Sequence, residues 1–260
     1  FFYSNQKYEY VVKLVLKERE VTKVRNNQLD MYLISSYSFL NKKEDMLNEV
    51  LSVSNSIGNQ DYAKKIIQDN FTTEKDIEYI DNQLLKKIQE NPNDSYYSEL
   101  LIWWYAQKGD FSRVFIQARA LDKRLVKNGY DVYKYAVESY NSKDYKNAAR
   151  MYKYIMDEYP NGDLYPYART WMIKSKEELI KTTFPIDKES IVDLIAEYKV
   201  FIKDYGKNVQ TAPAMRNMAL LEAFYLHDYA SSIINMEDAI QASESNPKIR
   251  DECKLDLGDI

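Results

Sequence analysis

The chain has 260 residues, of which 45% are apolar and 29% charged, and its formal net charge is −4. Six glycines and six prolines are too few for the many turns of an all-β fold. One cysteine and one histidine exclude an internal disulfide, a structural zinc site and most histidine-based catalysis. An acidic chain also lacks the excess of Lys and Arg that neutralises nucleic-acid phosphates. The composition predicts a soluble helical protein that is not an enzyme, holds no cofactor or metal and binds no nucleic acid.

The two ends of the sequence and its longest apolar runs bear on its cellular context. No apolar run approaches the ~18–20 residues that cross a bilayer, so we expect no direct insertion into a membrane. The chain begins at Phe1 without an initiator methionine and stops at Ile260 within a helical pattern. We therefore interpret it as a piece of a longer protein, whose own beginning could carry a targeting segment.

A turn followed by an amphipathic helix recurs along the chain. Its copies begin at Lys42, Asp76, Asp110 and Asp144, each 34 residues after the last, and an outlying copy begins at Asp228. Apolar or small residues follow each start at helical spacing. A fixed period of this length is typical of a repeat protein rather than of a protein with one large core.

Each repeat is predicted to contain two helices separated by a turn. In the clearest one, Leu101 and Tyr105 lie on the apolar face of the first helix, and Gly109 marks the turn before the second. In chain order, we predict a partial repeat over 1–25, whole repeats over 26–58, 59–92, 93–127 and 128–161, an irregular repeat with a long connector over 162–208, a repeat over 209–245, and the start of a truncated repeat over 246–260.

A set of marker residues places this pattern close to a known family. The markers are Leu101, Tyr105, Gly109-Asp110-Phe111, Asp144-Tyr145, Ala148, Tyr152 and Pro160. With the period, they resemble the tetratricopeptide repeat family, and the resemblance covers essentially the whole chain. It implies an all-α fold, a right-handed α-solenoid of helix pairs that runs as one continuous array over 1–260. Each pair would contact only its neighbours.

A narrower resemblance rests on longer segments. They are Ser98-Glu99-Leu100-Leu101-Ile102-Trp103, Ile116 to Arg124, Ala219 to Leu226 and Lys254 to Asp259. These segments look like those of a group of longer tetratricopeptide proteins of Bacteroidetes-type bacteria. Members of that group usually start with a secretory signal. The resemblance implies a periplasmic location, and a cytoplasmic one is the alternative.

Twenty-four tyrosines are the most unusual feature of the composition. Many fit the seams within repeats, where a tyrosine ring buries area while its hydroxyl reaches a polar partner. A second stripe does not fit those seams, and its members are Tyr62, Tyr96, Trp103, Tyr130, Tyr133, Tyr140, Leu221, Phe224 and Tyr225. We predict that this stripe lines a concave groove that binds a protein or peptide. The alternative is that part of it packs against neighbouring repeats.

The sequence favours a non-catalytic scaffold or adaptor that mediates protein–protein interaction, in a bacterial envelope assembly. Two alternatives stay open: the recruiting arm of an enzyme whose catalytic domain lies outside this chain, and a domain that binds carbohydrate or another small ligand through its Tyr/Trp stripe. An unfinished repeat at an end would leave an apolar face uncovered, which predicts self-association through the truncated ends.

Overall fold

The structure, a computed structural model, describes residues 1–185 and 187–260. Every regular element in these residues is an α-helix, and no strand occurs among them. The chain divides into two compact units, Phe1–Leu125 and Val126–Ile260. Within each unit, most consecutive helices pack on one another as in an α-solenoid. The predicted all-α fold class is confirmed. The division into eight repeat segments and their continuity as one array stay predictions.

The first unit contains seven helices. They are α1 (Tyr8–Thr22), α2 (Asn27–Phe39), α3 (Lys43–Ser56), α4 (Gln60–Asn70), α5 (Glu74–Glu90), α6 (Tyr96–Gln107) and α7 (Phe111–Leu125). Leu33, Leu47 and Val50 are fully buried where α2 meets α3, and Leu101 and Val114 are fully buried where α6 meets α7. The apolar faces seen in the sequence therefore form the core of this unit.

One helix start departs from the 34-residue step. The pattern places the start of α5 after Asp76, but α5 begins at Glu74. The reason is a capping box: the Thr73 hydroxyl accepts a hydrogen bond from the backbone N–H of Asp76, and the Asp76 carboxylate accepts one from the backbone N–H of Thr73. These bonds satisfy helix-end donors that otherwise have no partner, so they fix the helix start at Thr73.

This cap makes the stability of the first unit depend on pH. Burial alone would raise the pKa of Asp76, but hydrogen bonds from Lys43 and Thr73 lower it to about 2. A carboxyl with a lowered pKa stabilises the fold above its unfolded value of about 4, and that contribution is lost as the pH falls towards 2. We expect Asp76→Asn to reduce stability by about 1 kcal/mol at pH 7 and by much less at pH 2. Urea denaturation at both pH values checks this, and an equal loss at both would contradict it.

Charged residues form a buried network in the first unit that the sequence did not predict. Asp30 on α2 is only 1% exposed. Its carboxylate lies 2.5 Å from Nη2 of Arg19 on α1, and Arg19 also bonds Glu49 on α3 at 2.8 Å. Arg25 contacts the same two carboxylates, at 3.1 and 2.5 Å. The network thus ties together the first three helices.

The second unit also contains seven helices. They are α8 (Tyr130–Asn141), α9 (Tyr145–Glu158), α10 (Tyr165–Thr182), α11 (Lys188–Tyr205), α12 (Ala212–Leu226), α13 (Tyr229–Ala242) and α14 (Pro247–Asp259). The connector between α10 and α11 is predicted to be unusually long, and Ile186 within it lies outside the described residues.

Small residues let helices of the second unit approach each other closely. Ala219 on α12 and Ala239 on α13 are fully buried, and the Ser232 hydroxyl on α13 donates a hydrogen bond to the Ala219 carbonyl at 2.8 Å. A side-chain-to-backbone bond between two helices requires close packing, so α12 and α13 form one of the tightest seams of the unit.

A large side chain is buried elsewhere in the same unit: Tyr152 on α9 is fully buried.

No helix in the described part of the chain is both long enough and apolar enough to cross a membrane. The single histidine, His227, is exposed in the turn after α12.

Candidate functional site

The predicted aromatic stripe contributes three residues to the first unit. Tyr62 on α4 and Trp103 on α6 are half-buried, and the Lys64 ammonium lies 5.9 Å from the centre of the Trp103 ring. Tyr96 on α6 is only 8% exposed. Its ring belongs to the core rather than to a surface, so Tyr96 is left out of the candidate site. Tyr62 and Trp103 stay predicted contact residues.

The stripe in the second unit is more exposed. Tyr130 and Phe224 are more than half exposed, at 55% and 52%, and Tyr225 is 37% exposed. Tyr133 is half-buried with its ring edge-on to Tyr152, 5.6 Å between ring centres. Part of the stripe therefore packs within its unit, and part of it faces solvent.

Tyr140 connects this stripe to α10. Its ring lies 5.1 Å from that of Trp171 in an edge-on arrangement. Burial raises the pKa of the Tyr140 hydroxyl, and the charges of Glu178 and Glu177 raise it further. The aromatic residues of α8 therefore lie beside an acidic segment of α10.

A cavity of about 190 Å³ lies between α10, α11 and α12. It is lined by Glu177, Ile180, Lys181, Leu194, Tyr198, Asn217, Leu220, Leu221 and Tyr225. Two of the predicted site residues, Leu221 and Tyr225, are thus brought together in its wall. Apolar side chains from all three helices form most of the remaining surface.

The polar floor of this cavity is held in place by hydrogen bonds. Oε1 of Glu177 accepts a bond from the Tyr198 hydroxyl and another from Nδ2 of Asn217 at 3.0 Å. Tyr198 is 1% exposed. Burial raises the pKa of this phenol, and the negative charge of Glu177 raises it further. Tyr198 therefore stays protonated and keeps donating, which fixes the orientation of the Glu177 carboxylate.

A lysine lies at the edge of the cavity. Nζ of Lys181 is 2.8 Å from Oε1 of Glu178. This hydrogen bond raises the pKa of Lys181, and the charges of Glu178 and Glu177 add to the effect. The Lys181 side chain is 65% exposed and that of Glu178 is 30% exposed, and ion pairs this accessible hold their partners weakly.

The size and lining of this cavity limit what it can hold. Within residues 1–185 and 187–260 no group of three His, Cys, Asp or Glu side chains is placed to hold a metal ion. The cavity is smaller than the ~300 Å³ at which pockets for whole small ligands begin. Its size and its mixed walls fit a group about as large as one amino-acid side chain.

Sequence reasoning missed Glu177, Lys181, Tyr198 and Asn217. These residues lie in the repeat predicted to be irregular and at the start of the next one. The helical spacing of Glu177 and Lys181 on α10, and of Asn217 and Leu221 on α12, places each pair on one face. That spacing was a usable signal, but nothing in the sequence showed that the two faces meet.

No protein-family model matches this chain, and no curated protein matches it. Among solved structures, the chain is similar to the crystal structure of the C-terminal part of a TPR repeat-containing protein from Cytophaga hutchinsonii. The two are 14% identical with a TM-score of 0.36, and the match covers 96% of each chain. The structure found is thus that of a tetratricopeptide repeat protein, the family that the repeat pattern of this sequence resembles.

Proposed function

We propose that this chain is a non-catalytic protein-interaction module and that its second unit binds a segment of a partner protein along α10 and α12. One observation carries the proposal: the 190 Å³ cavity opens beside the exposed Tyr225 and contains an oriented carboxylate. Exposed aromatic residues next to a cavity are typical of the anchoring points of protein interfaces.

The partner segment is expected to place one side chain in the cavity. Leu194, Leu220 and Leu221 supply apolar walls, so the inserted group loses contact with water on several sides. Asn217 and Glu177 supply polar atoms at the floor, which orient what enters. Phe224 and Tyr225 then cover the flanking residues of the segment, because both stand exposed on α12.

The proposal also includes an adaptor role in a bacterial envelope assembly. Its support is the narrower resemblance to longer tetratricopeptide proteins that begin with a secretory signal. Fractionation of the native cells, with an antibody raised against this chain, tests this part: recovery in the periplasm supports it, and recovery in the cytoplasm contradicts it.

Selection of short linear peptides from a display library, with the full chain as bait, tests the binding function. We expect Tyr225→Ala to weaken a selected, fluorescein-labelled peptide about tenfold in fluorescence anisotropy, as loss of an aromatic anchor does. Leu221→Phe, which fills part of the cavity, should weaken it as well.

Tyr229→Ala is the matched control. Tyr229 is a tyrosine of similar exposure, 49%, but it lies on α13 and does not line the cavity. Its loss should leave the affinity unchanged. Failure to select any peptide, or equal binding by wild type, Tyr225→Ala and Leu221→Phe, would contradict the proposal.

A further inference from the structure

The geometry of the cavity points to the chemistry of its occupant. We infer that it takes a basic side chain, lysine or arginine, of the partner segment, with Glu177 as the counter-ion. This inference rests on the proposed function and adds the charge of the group that enters.

Glu177 is a carboxylate that has neutral partners. The two groups that hold it, the Tyr198 hydroxyl and the Asn217 amide, both donate to the same oxygen, Oε1. In the described residues no ion pair within 4.0 Å involves Glu177. A half-buried carboxylate gains most from a cation that reaches it away from water, so the other oxygen, Oε2, is the natural acceptor for an incoming ammonium or guanidinium group.

In the structure, the lysines near the cavity pair with carboxylates other than Glu177. Lys181 bonds Glu178, and Lys176 lies 2.7 Å from Asp193 and 2.9 Å from Glu197. The charged side chains that line the cavity or pair at its edge are Glu177, Glu178 and Lys181, which leaves one negative charge in excess. The groups that α11 and α12 contribute, Tyr198 and Asn217, are uncharged. The local charge therefore favours a cation and disfavours an acidic residue.

The walls fit the rest of a basic side chain. Ile180, Leu194 and Leu221 line the cavity with aliphatic groups. Lysine and arginine bury their methylene stems along apolar surfaces while the charged end seeks a polar partner. An apolar residue such as leucine would fill the walls but leave the Glu177 carboxylate without a cation, and an acidic residue would be repelled. A basic residue uses both features.

A double-mutant cycle tests the inference with the peptide obtained from the display selection. Its basic residue is replaced by norleucine, which keeps the lysine stem and lacks the ammonium group. We expect Glu177→Gln to weaken the basic peptide about tenfold or more and to change the affinity of the norleucine peptide less than about twofold. The folding of each variant is verified by its circular dichroism melting curve.

Lys181→Met provides a second variant with the opposite sign. Lys181 is exposed, so its loss leaves the core intact. The substitution removes a cation that competes with the basic residue of the peptide for Glu177. The basic peptide should therefore bind at least about twofold more tightly at low salt. Weaker binding by Lys181→Met would overturn the inference.

The outcomes separate the inference from the proposed function. If selected peptides lack basic residues and Glu177→Gln leaves their affinity unchanged, the inference is wrong. Sensitivity of those same peptides to Tyr225→Ala and Leu221→Phe would still uphold binding at the cavity. Insensitivity to all four variants would overturn both.

Discussion

Replacing Tyr152 with alanine is expected to lower the free energy of unfolding of the second unit by about 3–5 kcal/mol, the usual cost of truncating a buried aromatic residue. Tyr152 is fully buried on α9, where its ring meets Tyr133 of α8 edge-on. The truncation removes this contact and leaves a cavity between packed helices. Urea denaturation followed by circular dichroism measures the loss.

Tyr152→Phe is the control that separates the ring from its hydroxyl. The hydroxyl is buried without a hydrogen-bond partner among the described residues, and burial raises its pKa. An unpaired buried polar group costs about 1–3 kcal/mol, so its removal should leave stability unchanged or increase it by about 1 kcal/mol. A loss as large as that of Tyr152→Ala would show that the hydroxyl, rather than the ring, stabilises the seam.

Replacing Arg19 with methionine is expected to lower the stability of the first unit by about 3 kcal/mol, because it leaves the buried Asp30 and the half-buried Glu49 with one cation fewer. Hydrogen bonds to Glu49, partly offset by burial, and those to Asp30 raise the pKa of this guanidinium. Asp30 cannot turn to solvent, since it is 1% exposed. Arg25 retains its contacts and limits the damage. Denaturation in urea is again the measurement.

Two further variants show whether charge or packing explains that loss. Lys17→Met removes an exposed ion pair on the same helix, with Glu20, and should change stability by less than about 0.5 kcal/mol. Asp30→Asn, added to Arg19→Met, removes a buried charge that only Arg25 still balances, and it should recover part of the stability. If the double variant is no more stable than Arg19→Met, the loss comes from packing of the arginine stem.

Helix pairs were predictable because each helix carries its own local signal. The turn residues Asp110 and Asp144 are each predicted to precede the second helix of a repeat. The corresponding helices, α7 and α9, begin directly after them, at Phe111 and Tyr145. The start of α5 was missed by three residues because the Thr73 cap competes with the repeat pattern. Local chemistry thus determines helix ends more strongly than the average period does.

Contacts between distant residues were not predictable in the same way. Arg19 and Glu49 are 30 residues apart, and Glu177 and Asn217 are 40 apart. In the sequence each of them reads as a polar residue on a solvated helix face. Burial of Asp30 and formation of the cavity floor follow from how neighbouring helices pack, and a single sequence gives no direct signal of that packing.

Hydrogen–deuterium exchange of the full chain, with and without a peptide selected from the display library, tests binding at the cavity most directly. Bound peptide should slow exchange in the second half of α10, around Glu177 and Lys181, and in α12 from Asn217 to Tyr225. The amides of α13 around Ile234, which is exposed and lies outside the cavity, should be unaffected. Protection confined to other helices, with none in α10 and α12, would contradict the account.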